Sequence, residues 1–336
     1  MKKLPIALGA LCALNSLAAI KIYKRVFSRY ERQSAFKDPA LFLTRCALCD
    51  LSYKAFSFPS GGKSLVGYYY RAHADRGTVV FSHGMHSGAD DYLPIYAALL
   101  RRRYSVITYD GTGTYASEGE WTVGTCCAAQ DLAALLEYIS SSGEIPHSNI
   151  LLMGHSLGAY AAAVCAPRFA VRGCVCISGM DLASSLIMYM ARKYAGIAAE
   201  INRPLLALYQ HRLFGALAYT SAVDEINRAS CPVLIAHGEC DELINEKSGS
   251  LISQCHRITN PSATFYVGRG KCGTHSGILY SAKANDMRRE LFSFVDRNRD
   301  KSENDLCRIL SSSAYIDYFR PICEVNEELM EKMPKF

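Results

Sequence analysis

Apolar and polar positions alternate along the middle of the chain in a way that predicts strands separated by helices. Short apolar runs bounded by glycine, proline or polar residues are typical of buried parallel strands. Such runs occupy residues 78–81, 104–109, 150–153, 174–177, 232–236 and 264–267. Helical spacing of apolar residues between them, clearest over 125–140, completes the alternation. The pattern predicts an α/β protein with a mostly parallel sheet and helices on both faces.

Two segments depart from this alternation. Residues 53–58 and 64–71 flank a Ser-Gly-Gly-Lys turn and predict an opening hairpin. From 180 to 229 the strand pattern fails, and the segment predicts helices rich in leucine and methionine. We expect some of these side chains to pack on the sheet. Others, with Met188 and Met190 as candidates, should line an apolar substrate site because methionine is flexible and polarizable.

The chain divides into three predicted parts. Residues 1–35 form a hydrophobic anchor or signal segment and a basic linker, residues 36–300 the α/β domain, and residues 301–336 a helical extension. The whole has 336 residues, half of them hydrophobic, which is enough for one sizeable core.

An uncharged stretch from Leu4 to Ile20 follows Lys2 and Lys3, and more cations come after it than before it. By the positive-inside rule this favours an uncleaved anchor. Small residues at 16–18 also fit a signal-peptide cleavage site, which would give a secreted protein. A buried amphipathic helix is a weaker alternative, since the stretch has no polar face. We predict association with a membrane surface and leave its orientation open.

The segment 150–158 joins an apolar strand to Gly-x-Ser-x-Gly and then to an alanine-rich helix. The five-residue pattern alone also occurs in ordinary glycine-rich turns, so its context decides. A strand that turns into a helix within a few residues crowds its own backbone. Small residues are then needed at Gly154 and Gly158, while Ser156 is held at the apex. The segment predicts a nucleophile elbow.

A nucleophile of this kind needs an acid and then a histidine later in the chain. Asp241 and two neighbouring glutamates follow the strand at 232–236, and proximity alone does not rank them. Only His256 and His275 come after them. His256 falls in a predicted helix, whereas His275 follows the last strand in a glycine-rich loop, where α/β catalytic groups gather. His275 is therefore the predicted base.

The oxyanion of an acyl-transfer intermediate needs two backbone N–H donors. Leu157 follows the nucleophile, and Met85 lies in the loop after the strand at 78–81, where Gly84 lets the backbone approach closely. His83 and His86 precede Ser156, so we expect them to order the loop.

These motifs resemble the α/β-hydrolase superfamily, and within it the serine aminopeptidase-like branch that includes monoacylglycerol lipases and lysophospholipases. The resemblance covers about residues 53–297. That branch has a His-Gly loop followed by a tyrosine, here His83-Gly84 and Tyr92. Its Asp-x-x-Gly-x-Gly-x-Ser-x-Gly loop corresponds to residues 110–119, with Tyr115 in place of the second glycine.

Carried over by position, the resemblance implies a triad of Ser156, Asp241 and His275, with Met85 and Leu157 as oxyanion donors. It also implies an α/β-hydrolase fold with an eight-stranded, mostly parallel sheet and a small helical cap inserted at about 180–229.

We expect a serine hydrolase that cleaves lipid-like acyl esters, such as a monoacylglycerol or a lysophospholipid, through an acyl-serine intermediate. A serine aminopeptidase or amidase acting on short peptides is the alternative. Its receptor for a substrate amino group would be sought among Glu118, Glu120 and Asp181. A non-catalytic binding protein on the same scaffold is a third possibility.

No cofactor or metal is expected, because Cys46 and Cys49 lack a second matching pair. The net charge of +6 is modest for this length and predicts no nucleic-acid partner. Fourteen cysteines do not require disulfides in a chain large enough to build a core. Cys307 and Cys323 would pair only in an exported protein.

Overall fold

A computed structural model of the chain describes residues 16–73 and 76–334. Its centre is an eight-stranded sheet with the strand order β1-β2-β4-β3-β5-β6-β7-β8. The β1–β2 hairpin and the β2–β4 pair are antiparallel, and all other neighbours are parallel. The prediction of a mostly parallel eight-stranded sheet is confirmed. The strands are β1 Lys54–Ser60, β2 Lys63–Tyr70, β3 Thr78–Ser82, β4 Ser105–Tyr109, β5 Leu151–His155, β6 Gly173–Ile177, β7 Val233–Gly238 and β8 Ala263–Gly268.

Helices cover both faces of the sheet and the edge at which its parallel strands end. One apolar core lies between the sheet and helices α4 and α5, and a second lies under α3 and α10. The helix that we call α1 is described over residues 16–26. The others are α2 Pro39–Ala47, α3 Leu93–Arg101, α4 Cys127–Ser142, α5 Leu157–Cys165, α6 Ala183–Ala195, α7 Ala198–Ile201, α8 Arg203–Phe214, α9 Ala222–Arg228, α10 Ala282–Arg297, α11 Glu303–Leu310, α12 Ser313–Phe319 and α13 Glu327–Glu331.

Helices α6 to α9 fill the interval in which a cap was predicted. Helix α1 packs on this cap, because Tyr23 and Phe27 share an apolar cluster with Ile187, Met188 and Leu206. Within 16–73 and 76–334, no helix has the length and apolar character needed to cross a membrane. Most of the predicted anchor, residues 4–15, lies outside the described residues.

The C-terminal extension is helical and forms part of the fold. Leu306, Leu310 and Phe319 pack with residues of α2 and α10, and Leu329 and Met330 enter the core under α3. Because its apolar side chains are buried in two clusters, we expect removal of the extension to destabilise the whole domain.

The described cysteines are all free thiols, including Cys307 and Cys323. Cys174 and Cys176 are buried on β6, as expected for small apolar residues. No cluster of His, Cys, Asp and Glu in the described part of the chain could hold a metal ion.

Candidate active site

The turn between β5 and α5 holds Ser156 in a strained conformation, with φ 57° and ψ −116°. A Cβ atom on Gly154 would lie 2.1 Å from the carbonyl oxygen of Gly158. One on Gly158 would lie 2.0 Å from the carbonyl oxygen of Ser82. Both contacts are far inside van der Waals distance, so the turn excludes side chains on either flank. A non-glycine residue with positive φ costs free energy and is typical of functional sites.

His275 and Asp241 form a buried pair at the carboxyl ends of β8 and β7. The Nδ1–H of His275 donates to Oδ2 of Asp241 at 2.8 Å, and Oδ1 accepts from the backbone N–H groups of Leu243 and Ile244 at 2.9 and 2.7 Å. Burial by itself raises the pKa of Asp241, but hydrogen bonds from His237 and His275 outweigh it and hold the pKa well below its usual range. The ionised carboxylate keeps the proton of His275 on Nδ1 and leaves Nε2 free to act as a base.

A second histidine, His237, also contacts Asp241, and sequence reasoning missed it. Its Nε2 lies 3.2 Å from Oδ2 of Asp241 and 2.6 Å from the carbonyl oxygen of Ile244. The chain order of the triad points only to histidines after the acid, whereas His237 lies four residues before Asp241, on β7.

The backbone of His275 is held at both ends. Its N–H donates to Glu242 at 3.1 Å, and its carbonyl oxygen accepts from Nε2–H of His155 at 3.0 Å and from Ser178 at 3.1 Å. Glu242, an alternative to Asp241 in the sequence, thus contacts the backbone of the histidine and not its ring. The contact of His155 had no sequence signal beyond its place in the elbow.

His155 also connects the base to the predicted oxyanion loop. Its Nδ1 accepts from the hydroxyl of Tyr92 at 3.0 Å, and that hydroxyl accepts from the N–H of Gly84, also at 3.0 Å. Burial, followed by the charge of His275, lowers the pKa of His155 to about 3, so its ring is neutral. One chain of hydrogen bonds therefore runs from Gly84 to His275 through two buried side chains.

The predicted oxyanion donors are close to the nucleophile. A Cβ atom built on Gly84 would lie 3.4 Å from Cβ of Ser156, and the following residue, Met85, lines the same cavity. Leu157 is the first residue of α5, so its N–H has no acceptor within the helix. His83 orders this loop as expected: the N–H of Gly111 donates to its Nε2 at 2.9 Å, and its Nδ1 donates to the carbonyl oxygen of Gly84 at 2.7 Å.

Ser156 and His275 line a cavity of about 550 Å³. Apolar side chains of the cap and of the loop after β7 form one part of its wall, namely Leu186, Tyr189, Met190, Leu243 and Ile244.

Met190 therefore lies where a substrate-lining residue was predicted, and Met188 does not. Met188 is 7% exposed, packs in the cluster with α1 and borders a separate cavity of about 350 Å³. A step of two residues along a helix rotates the side-chain direction by about 200°, so positions 188 and 190 of α6 face opposite sides. The prediction for Met188 is corrected accordingly.

Charged and aromatic residues line another part of the cavity, among them Tyr30, Asp38, Asp91, Tyr280 and Arg288. Burial raises the pKa of Asp91 to about 7, although hydrogen bonds from Gly88 and Tyr115 oppose the rise. Sequence reasoning assigned none of these residues to the site, because none of them belongs to the motifs that predict the triad or the oxyanion donors.

The three carboxylates proposed from the sequence as an amine receptor do not line the cavity. Asp181 is buried and accepts from Ser221 at 2.6 Å and from Arg257 at 2.8 Å. Oε2 of Glu118 accepts from the backbone N–H of Ser64 at 2.8 Å.

The segment before α2 forms part of the cavity wall. Tyr30 stacks on Tyr115 with 5.9 Å between ring centroids, and Arg29 donates to the carbonyl oxygens of Ser117 and Gly119 at 2.8 and 2.9 Å. Tyr115 has φ 40°, which explains why the family has glycine at this position. Its hydroxyl bonds to Asp91, so the departure from the family pattern joins the 110–119 loop to the cavity wall.

Comparisons with known proteins agree with this architecture. A family model described as serine aminopeptidase, S33, matches residues 73–210. The α/β hydrolase domain-containing protein 17C of Xenopus tropicalis is 25% identical over 193 residues, which are 55% of this chain and 54% of that protein. The alignment thus spans about half the length of that relative.

Two solved structures show the same fold. The esterase Pf2001 of Pyrococcus furiosus aligns with a TM-score of 0.55 and 18% identity over 81% of this chain and 97% of that one. The α/β hydrolase GrgF of Penicillium sp. aligns with a TM-score of 0.51 and 16% identity over 74% and 99%.

Proposed function

This protein is an α/β-hydrolase, and from that premise we propose that it cleaves carboxylic esters of lipid-like acyl chains through an acyl-serine intermediate. The observation that carries the proposal is the cavity, in which Ser156 and His275 lie beside an apolar wall supplied largely by the cap. Its volume of about 550 Å³ falls in the range of small-molecule sites. A monoacylglycerol or a lysophospholipid has the matching chemistry of one acyl chain and one polar alcohol.

In the proposed reaction, Nε2 of His275 takes the proton of Ser156 as Oγ attacks the ester carbonyl. The N–H groups of Met85 and Leu157 stabilise the oxyanion, and each such donor contributes about 3 kcal/mol to lowering the barrier. The tetrahedral intermediate collapses, and His275 returns the proton to the departing alcohol. Water then attacks the acyl-serine by the same route, which releases the fatty acid and restores Ser156. Asp241 stabilises the imidazolium in both steps.

Cleavage of an amide is the second candidate, and Asp38 and Asp91 favour it. Both line the cavity that contains Ser156, where a carboxylate could bind the amino group of a peptide. Protonation limits this role, since burial raises the pKa of Asp91 to about 7. Asp38 also has a local structural role, because its Oδ1 caps α2 by accepting from the N–H of Leu41 at 2.8 Å.

The decisive experiment compares initial rates on p-nitrophenyl acyl esters of increasing chain length and on aminoacyl p-nitroanilides. We expect ester turnover that Ser156→Ala abolishes, and an optimum chain length that reflects the apolar wall. The matched control is Ser141→Ala, an exposed serine on α4. Preferential turnover of anilides, lost in Ser156→Ala and reduced in Asp38→Asn, would replace the ester proposal with the aminopeptidase one.

A fluorophosphonate probe separates both enzymes from a non-catalytic binding protein. The probe should label the wild type and Ser141→Ala but not Ser156→Ala. Folded wild-type protein that resists the probe would support the binding protein.

We further propose that residues 4–20 associate the enzyme with a membrane surface, because the stretch is uncharged and is followed by Lys21, Lys24 and Arg25.

A further inference from the structure

The cap presents large apolar side chains to solvent on one side. Ile197, Ile201 and Leu208 are 88%, 75% and 65% exposed. Ile197 and Ile201 lie at the two ends of α7, and Leu208 lies on α8, the next helix of the cap. The opposite side of α8, with Leu206 and Phe214, is buried against the domain. We call the three exposed residues the cap stripe.

Positive charge is concentrated in the two segments that contain α1 and the cap helices α6 to α8. Residues 16–32 contain five basic residues and one acidic residue, and residues 183–219 contain four and one. Together these two segments have a net charge of +7, whereas the whole chain has a net charge of +6. The rest of the chain therefore has a net charge of −1. Arg212, Lys21 and Arg25 have no acidic partner among the residues that the structure describes.

The position of α1 indicates what covers this face. Tyr23 of α1 packs edge-on against Tyr209 of α8, with 5.3 Å between ring centroids, and accepts a hydrogen bond from Gln210. Leu17 and Ile22, also on α1, are 66% and 51% exposed. Residues 4–15, all uncharged, immediately precede this helix in the sequence. If residues 4–15 insert into a bilayer, α1 and the cap that packs against it are brought to the bilayer surface.

From these observations we propose that the cap stripe and the outer face of α1 form a docking surface for an anionic lipid bilayer. Exposed apolar side chains flanked by lysine and arginine are typical of surfaces that lie in the headgroup region. The cap also supplies Tyr189, Met190 and Lys193 to the wall of the cavity. Docking would therefore place the cap side of the cavity beside the membrane. The inference rests on the fold and on surface charge, and it does not depend on which bond the enzyme cleaves.

Tryptophan quenching tests the contact directly. The chain has one tryptophan, Trp121, so full-length Trp121→Phe protein gives a dark background. Reporters are Ile201→Trp and Leu208→Trp, and the control is Tyr318→Trp, which is 57% exposed on α12. Each is reconstituted into phosphatidylcholine–phosphatidylglycerol vesicles, with or without bromine on the acyl chains.

We expect brominated lipid to remove roughly half of the emission at positions 201 and 208, since such surfaces insert about 5–10 Å. Emission at position 318 should be unchanged. Vesicle-bound protein without quenching at 201 and 208 would overturn the proposal while leaving attachment through residues 4–20 intact. Equal quenching without phosphatidylglycerol would overturn the role of charge. A blue shift of the tryptophan emission at both positions in the absence of vesicles would instead indicate that a second copy of the chain covers the cap stripe.

Turnover gives an independent test in the wild-type background. The double variant Ile201→Glu, Leu208→Glu should hydrolyse an ester embedded in anionic vesicles about tenfold more slowly, because each acidic residue is repelled from the surface. Its rate on a soluble p-nitrophenyl ester should match that of the wild type, since neither residue lines the cavity with Ser156. Equal rates on both substrates would contradict the docking surface. If the wild type hydrolyses neither substrate, the proposed ester hydrolysis is refuted.

Discussion

Tyr92→Phe removes one oxygen from the chain of hydrogen bonds between the oxyanion loop and the base. The N–H of Gly84 loses its acceptor, and Nδ1 of His155 loses its donor, both at 3.0 Å in the wild type. Each buried polar group left without a partner costs about 1–3 kcal/mol, so for the two groups together we expect a loss of about 2–6 kcal/mol in the free energy of unfolding. Complete loss of an oxyanion donor costs about 3 kcal/mol of barrier. Since Gly84 precedes Met85, displacement of the loop should cost less, or about tenfold in kcat.

The assay is kcat on a soluble p-nitrophenyl ester, with urea unfolding of the same samples. The matched control is Tyr96→Phe, which loses one buried hydrogen bond to Thr108 at 2.9 Å, away from the site. The control should lose stability and keep its kcat. The stability lost in Tyr92→Phe should be the same between about pH 6 and pH 8. Burial lowers the pKa of His155 to about 3, so its ring stays neutral over this range. An unchanged kcat in Tyr92→Phe, or an equal loss in the control, would refute this reasoning.

Three further changes test other parts of the structure. Gly158→Ala should destabilise the protein by about 1–3 kcal/mol in urea, because its Cβ would meet the carbonyl oxygen of Ser82 at 2.0 Å; a wild-type midpoint would contradict the crowded elbow. Met188→Ala should lower stability by about 2–4 kcal/mol without changing acyl preference, whereas Met190→Ala should shift the chain-length optimum; the reverse result would exchange their roles. Asp91, with a folded pKa raised from 3.8 to about 7, contributes stability that is fully present below pH 3.8 and is lost as pH rises through 7. Asp91→Asn should gain stability over the wild type between about pH 5 and pH 8 in urea titrations, and a constant difference would argue against the raised pKa.

Features of the site that depend on local chain geometry could be predicted from the sequence. A strand that turns directly into a helix requires small residues at Gly154 and Gly158, and in the structure a Cβ atom at either position would overlap a backbone carbonyl oxygen. The places of the strands pointed to His275 and to the carboxylates around Asp241, because parallel strands bring their carboxyl ends to one edge. The resemblance to the family, and not the strand pattern, selected Asp241 among those carboxylates. The catalytic roles of these residues stay predictions until turnover is measured.

Helical patterning located the cap but could not orient its methionines. Met188 and Met190 are equivalent in composition and both lie on α6. Which of them lines the cavity depends on how α6 rotates against α1, and that rotation is set by the packing of Tyr23 and Phe27.

The sequence by itself determined the order of strands and helices, the elbow at Ser156 and the loops that carry its partners, because periodicity and turn chemistry act over a few residues. Only the tertiary structure decided what surrounds them. Asp38 and Arg288 reach the cavity from opposite ends of the chain, and His155 connects two loops through its buried ring. Such contacts form because segments that are distant in the sequence bury their apolar surfaces against one another. This packing fixes the relative positions of the segments, and no hydrophobic periodicity within a single segment reveals it.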